Sequence, residues 1–139
     1  MRIRAFHAND EAAVVALWER CRLTRPWNDA RKDIARKLSV QPELFLVGEV
    51  DGAVVASVMA GYDGHRGWVN YLAVSPEVQR KGFGKALMQE VEQRLLARGC
   101  PKINMQVRTS NAEAIAFYRR LGYAHDESIA LGKRLIPDA

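Results

Sequence analysis

Seven consecutive residues, Gln79-Arg80-Lys81-Gly82-Phe83-Gly84-Lys85, set two glycines and three cations just before the apolar run Ala86, Leu87, Met88. A helix that starts there presents unpaired N–H groups and a partial positive charge, which attract phosphate. Glycine lets the backbone approach an anion closely and take a positive φ. The chemistry suggested is a pyrophosphate cradle with Arg80, Lys81 and Lys85 at its rim. The plainer alternative is a glycine-rich turn leading into a solvated basic helix, and the motif alone does not separate the two. Two other phosphate motifs are excluded. The first glycine of a P-loop falls on Gln79 and its Ser or Thr on Ala86. The third glycine of a dinucleotide fingerprint falls on Leu87, and the acidic residue expected after the next strand is Arg108.

A second set of candidates lies downstream in "SNAEAIAFYRRLGY". Asn111 stands where a helix N-cap belongs, and Tyr118 falls within the amphipathic run that follows. Taken alone, a tyrosine in such a helix is core more often than catalytic. Trp27, Asn28 and Asp29, in "RPWND", offer an aromatic wall and polar hooks, or equally a helix-to-helix corner with Asp29 as cap. Asp63 and His65 belong to the turn "YDGHRG", where polar residues are ordinarily solvated. Cys21 and Cys100 are far apart and form no CxxC, so neither a metal site nor redox chemistry is signalled.

The elements that must position these residues follow from periodicity. Arg2 to Phe6 alternates as a short strand. Asn9 or Asp10 caps a helix through Val14, Leu17 and Trp18, and Asp29 caps another through Ile34 and Leu38. "LFLVGEV" and "AVVASVMAGY", joined by Asp51-Gly52, form a hairpin, because Asp-Gly favours a type I′ turn. "WVNYLAV" is a third strand, and the cradle then opens a helix that ends near Gly99. "KINMQV" is a strand, the Asn111 helix stops at Gly122, and "YAHDESIALGKRLI" is expected to finish as one or two strands. The order is mixed α/β, with antiparallel pairing early and one parallel crossover late.

A chain of 139 residues, 48% hydrophobic and 27% charged, is expected to fold as a single domain spanning 1–139. The first residues lack an apolar leader and nothing approaches a membrane span, so a cytoplasmic protein without a membrane partner is expected. The net charge of +5 suits an anionic ligand. It also suits nucleic acid, but the cations are scattered and no nucleic-acid motif occurs, so no nucleic-acid partner is expected.

Strand, then Pro-x-x-Gln-x-x-Gly-x-Gly, then helix resembles the acetyl-CoA-binding segment of the GNAT acyltransferase superfamily. "SNAEAIAFYRRLGY" is similar to that family's next motif, and the two stand in the family's order. "RPWND", "GYDGHRG" and "ARGCPKI" further resemble a small YpeA-like bacterial branch. The resemblance runs through nearly the whole chain in element order. It implies a GNAT-like mixed α/β fold: a mostly antiparallel twisted sheet, helices on both faces, and a V-shaped opening between the central strands "WVNYLAV" and "KINMQV".

It also implies roles. Leu72, Ala73 and Val74 would bind the pantetheine arm as an added strand, with help from a bulge, and one N–H would polarise the thioester carbonyl. Gln79 to Lys85 would hold the pyrophosphate, Asn111 would add a cofactor hydrogen bond, and Tyr118 would be the general acid for the leaving thiolate. Trp27, Asn28, Asp29, Asp63 and His65 would lie on the acceptor side. The implied reaction is transfer of acetyl from acetyl-CoA to a small-molecule or peptide amine by direct attack in a ternary complex. The rival is an acyl-CoA-binding sensor without turnover. One residue departs from the pattern: Gln106 stands where several amine-acetylating members carry Glu. Glutamine takes no proton from an ammonium, so the base is open among water, Glu49, Asp63 and His65. The acceptor, the acyl length and the oligomeric state, a homodimer included, are open as well.

Overall fold

A computed structural model describes residues 1–138. Strand β1 (Arg2–Ala5) leads through a single 3-10 turn into α1 (Glu11–Arg20) and α2 (Ala30–Leu38). Then come β2 (Phe45–Val50), β3 (Ala53–Tyr62) and β4 (Gly67–Val74), followed by α3 (Phe83–Ala97), β5 (Ile103–Met105) and α4 (Ala112–Arg120). The five strands form one sheet in sequence order, antiparallel except for the parallel β4–β5 pair. The expected fold class is the observed one.

Local chemistry places the elements. Asp29 caps α2, its carboxylate accepting from the N–H groups of Arg31 at 2.9 Å and Lys32 at 3.1 Å. Asp51 and Gly52 both have positive φ, 51° and 80°, the twist a type I′ hairpin requires. Asn111 caps α4 through the Ala114 N–H at 3.1 Å. Two apolar layers cover the sheet. On one face α1 and α2 bury Val14, Leu17, Trp18 and Ile34 against Phe45, Val47 and Met59. On the other, α3 buries Leu87, Met88, Val91 and Leu95 against Leu46, Val58 and Val69, and Phe117 and Tyr118 of α4 pack alongside.

The expected C-terminal strands do not form, since residues 124–138 contain none. The segment carries apolar residues, but β5 is only three residues long and offers almost no ladder to extend. Ion pairs tie the segment down instead. Asp126 accepts from Lys102 Nζ at 2.8 Å and Asn104 Nδ2 at 2.7 Å, and Asp138 is bound to α2. Between these anchors Ile129 and Leu131 are 87% and 90% exposed.

Candidate functional site

The centre of the site is a defect in the sheet. Ser57 faces Ala73 and Met59 faces Asn70, so Tyr71 and Leu72 together oppose Val58: a β-bulge. Tyr71 takes a φ of +54°, uncommon for an aromatic residue. Its surroundings hold it there. The Trp18 indole stacks on its ring at 3.8 Å, and its hydroxyl donates to Asp33 at 2.7 Å. The carbonyl that the bulge leaves unpaired accepts from Ser57 Oγ at 3.1 Å, and Ser57 in turn accepts from Trp18 Nε1 at 2.8 Å. No buried side-chain polar atom among the described residues lacks a partner.

The strands part beyond the bulge. β5 pairs with β4 only at Gly67, Trp68 and Val69, and among the described residues the rest of β4 has no strand on that side. The Ser75 N–H donates to Val55 O on β3, so by ladder alternation Ala73 also faces β3, whereas Leu72 and Val74 turn their backbone groups to the opening. The Val74 carbonyl there accepts from Gln79 Nε2 at 3.1 Å and from Cys21 Sγ at 3.3 Å. Gln79 thus ties the cradle to the end of the open strand. The Cys21 contact is one that sequence spacing had no means to show. Burial pushes the Cys21 thiol up, which keeps it protonated and a poor nucleophile.

Past Gln79 the backbone turns with positive φ at Arg80 (68°) and Gly82 (81°), and α3 begins at Phe83. A Cβ on Gly82 would meet nothing within 4 Å, so only its conformation demands glycine. Gly84 is the opposite case, where a Cβ would lie 3.1 Å from the Phe117 ring. Glycine there lets α4 close on the start of α3. Arg80, Lys81 and Lys85 form no ion pair among the described residues. Tyr118 packs edge-on to Phe117 and Tyr123, and its hydroxyl has no hydrogen-bond partner among the described residues. Burial pushes its pKa up to about 12.

On the α1–α2 face, Trp27, Asn28, Arg36 and Gln106 line a groove of about 750 Å³, closed by residues 132–136 of the C-terminal segment. Trp27 is 51% exposed, with the Arg108 guanidinium 5.6 Å from its ring centre. Asn28 accepts from Arg134, and the Asp29 N–H donates to the Asp138 carboxylate at 2.8 Å. That carboxylate is also held by Arg36 at 2.6 Å, and Arg36 first of all lowers its pKa to about 2. Arg36 and Arg134 were beyond sequence reasoning, because pairing across about a hundred residues leaves no local signature.

Asp63 and His65 do not join this group. They occupy the turn before Gly67, at the paired end of β4, and neither lines the groove. The Asp63 carboxylate accepts from the N–H groups of Arg66 at 2.7 Å and His65 at 2.8 Å, which hold its pKa below the usual range. That makes it a turn-builder and a weak base. Glu49 is likewise engaged, with Arg2 and Arg4.

Comparison with known proteins agrees with this geometry. The profile of the "Acetyltransferase (GNAT) family" matches residues 11–123. An acetyltransferase of Yersinia enterocolitica is 54% identical over 99% of this chain and 98% of its own. One from Pectobacterium atrosepticum is 53% identical over the same shares. Among solved structures, Ard1 from Thermoplasma volcanium superposes with a TM-score of 0.75 at 25% identity, covering 88% of this chain and 82% of that one. The ribosomal-protein-S18-alanine N-acetyltransferase of Escherichia coli gives 0.72 at 27% identity, over 87% and 76%. The chain belongs to the GNAT acetyltransferase family. No described helix is long and apolar enough to cross a membrane.

Proposed function

We propose that the protein transfers an acetyl group from acetyl-CoA to an amine by direct attack in a ternary complex. The observation that carries this reading is the bulged, splayed end of β4, whose free backbone groups lead into the cation-rimmed start of α3. The residues present fit the donor. The Leu72 backbone and the Val74 N–H offer strand-like hydrogen bonds to an extended arm, and the N–H groups at the start of α3, with Arg80, Lys81 and Lys85, suit its phosphates. Asn111 caps α4 through its side-chain oxygen, which leaves its amide nitrogen for the donor.

Bound acetyl-CoA supplies a thioester, whose carbonyl carbon bonds to the amine nitrogen as the C–S bond breaks. The chain's part is to position and to move protons. A backbone N–H at the open side of β4 donates to the oxygen that gains charge, an effect that is strong where water is excluded. The Tyr118 hydroxyl, protonated across the physiological range, donates its proton to the departing sulfur. The Cys21 thiol, kept neutral by burial, argues against an acyl-enzyme. Gln106 in the acceptor groove offers no carboxylate, so the attacking amine sheds its proton to solvent. The amine acceptor of the Escherichia coli neighbour, a ribosomal-protein alanine, supports an amine here.

A panel of amines assayed for CoA release, with mass spectrometry of the products, tests the reading. Release that depends on an amine, with an N-acetyl product, supports it. Tight acetyl-CoA binding with no release across the panel would favour a non-catalytic acyl-CoA sensor, the reading that Gln106 alone encourages.

A further inference from the structure

We infer that the seat filled by the Asp138 carboxylate is an anion subsite of the acceptor groove, and that the acceptor is an amine carrying a carboxylate. The inference rests on the acetyl-transfer reading and extends it to the substrate class. The seat is built from three sources of positive charge. Arg36 reaches the two carboxylate oxygens at 2.6 and 3.4 Å, the Asp29 N–H at the start of α2 donates at 2.8 Å, and Arg134 stands 3.8 Å away. Lys32 Nζ adds a bond to the Asp138 backbone oxygen at 3.0 Å. The carboxylate inside is only 2% exposed. A guanidinium beside helix N–H groups is a fitted receptor for a carboxylate.

The present occupant is poorly secured by the rest of its segment. Among the described residues, 129–138 make no backbone–backbone hydrogen bond, and Ile129, Leu131, Leu135 and Ile136 are all largely exposed. Nothing in the core moves if this strap lifts. Its departure would take Lys133 and Arg134 with it but leave Arg36, Lys32 and the Asp29 N–H on α2 without their carboxylate, beside a lining of Trp27, Asn28 and Gln106 that holds no acidic residue. The seat is also wired to the reaction centre. Arg36 binds Asp33 at 3.2 Å, and Asp33 accepts from the hydroxyl of the bulge residue Tyr71 at 2.7 Å. Gln106, just past β5, lines the same groove as Arg36, so an acceptor anchored at Arg36 extends toward the end of β5. Asp138 is the tethered competitor that such an acceptor displaces. A flexible tether of this kind acts as an effective concentration in the millimolar range.

The test uses ω-amino acids from glycine to 6-aminohexanoate, each beside its amide, as acceptors in the CoA-release assay. The peptides Ala-Glu-Ala-amide and Ala-Gln-Ala-amide form a second arm, separating a free amino acid from an acidic peptide end. Wild type should favour the carboxylate member of some pair by about tenfold or more in kcat/KM, in keeping with a lost charge-assisted hydrogen bond. Arg36→Gln should bring that ratio close to one, and Arg36→Lys should leave it in between. Asp138→Asn should lower the KM of the favoured acid several-fold. A ratio near one for every pair in wild type, or an undiminished ratio in Arg36→Gln, overturns the inference while acetyl transfer stands. If no amine is turned over, the acetyl-transfer reading fails, and titration with butyrate followed at the Asp29 amide by NMR decides the subsite alone. A saturable shift in Asp138→Asn that is lost on adding Arg36→Gln supports it, and no saturable shift overturns it.

Discussion

Tyr118 and Gln106 carry the sharpest consequences for single side chains. The Tyr118 ring packs between Phe117 and Tyr123, while its hydroxyl has no partner among the described residues. Tyr118→Phe should therefore keep the fold and the affinity for acetyl-CoA, and lower kcat by about 10²–10⁴ if the hydroxyl protonates the leaving thiolate. The pH profile makes a second check. A phenol with its pKa raised to about 12 stays protonated throughout the usual assay range, so kcat should show no alkaline loss from this group below about pH 11. Full activity in the Phe variant, with chemistry limiting, would return Tyr118 to the core. Gln106→Glu places a carboxylate in the groove beside an acceptor amine. For an acceptor whose amine pKa lies near 10, activity near pH 7 should rise or its pH profile should move downward. Motifs made Tyr118 and Asn111 legible in the sequence. Arg36, Arg134 and Cys21 were not, because each acts through a partner about fifty to a hundred residues away.

The cradle is a property of an element rather than of one side chain, and its two glycines do different work. Gly82 sits at a φ of +81° with open space where a Cβ would go. Gly82→Ala meets no clash at its Cβ, so its cost in folding is the conformational strain, about 1–2 kcal/mol. The same strain shifts the N–H groups at the start of α3, and acetyl-CoA affinity measured by calorimetry should fall by at least tenfold. Unchanged affinity in the folded variant would remove the cradle from the site. Gly84→Ala is the converse. Its methyl would sit 3.1 Å from the Phe117 ring, which is packed against Tyr118 and must give way, so stability should drop by about 1–3 kcal/mol in urea titration. The sequence showed that both glycines mattered, and only the distances separate conformation from close packing. The β4 bulge behaves similarly. Nothing in "WVNYLAV" marks Tyr71 as the residue that turns, since what holds it there is Trp18, more than fifty positions earlier.

At the scale of the whole molecule, element order was readable because periodicity and capping are local, whereas the C-terminal segment was not. Its Ile129, Leu131, Leu135 and Ile136 are residues a strand would accept, yet a strand exists only where an edge receives it, and three-residue β5 supplies almost none. The beginning of the chain is secured by a different device. Arg4 of β1 clasps both oxygens of Asp10 at 2.8 and 2.9 Å, and the His7 N–H donates to the same carboxylate at 2.8 Å. Arg4 also reaches Glu49 on β2 at 3.2 Å, so one guanidinium joins β1, the turn before α1 and the neighbouring strand. The hydrogen bond from Arg4, first among its causes, holds the Asp10 pKa below the ordinary carboxylate range. A group depressed in this way contributes stability that is fully present above its unfolded pKa, about 3.9, and is lost as pH falls through the lower folded value. Urea midpoints of the wild-type protein should hold from pH 7 to about 5 and then decline below pH 4 as Asp10 takes up its proton. Asp10→Asn leaves the nearly buried Arg4 without its main partner and should cost about 3 kcal/mol at pH 7. Because that variant has already lost the charge, its curve should approach the wild-type curve as pH falls below 4. Parallel curves, with a constant gap down to pH 2, would mean that Asp10 acts through packing and not through its charge.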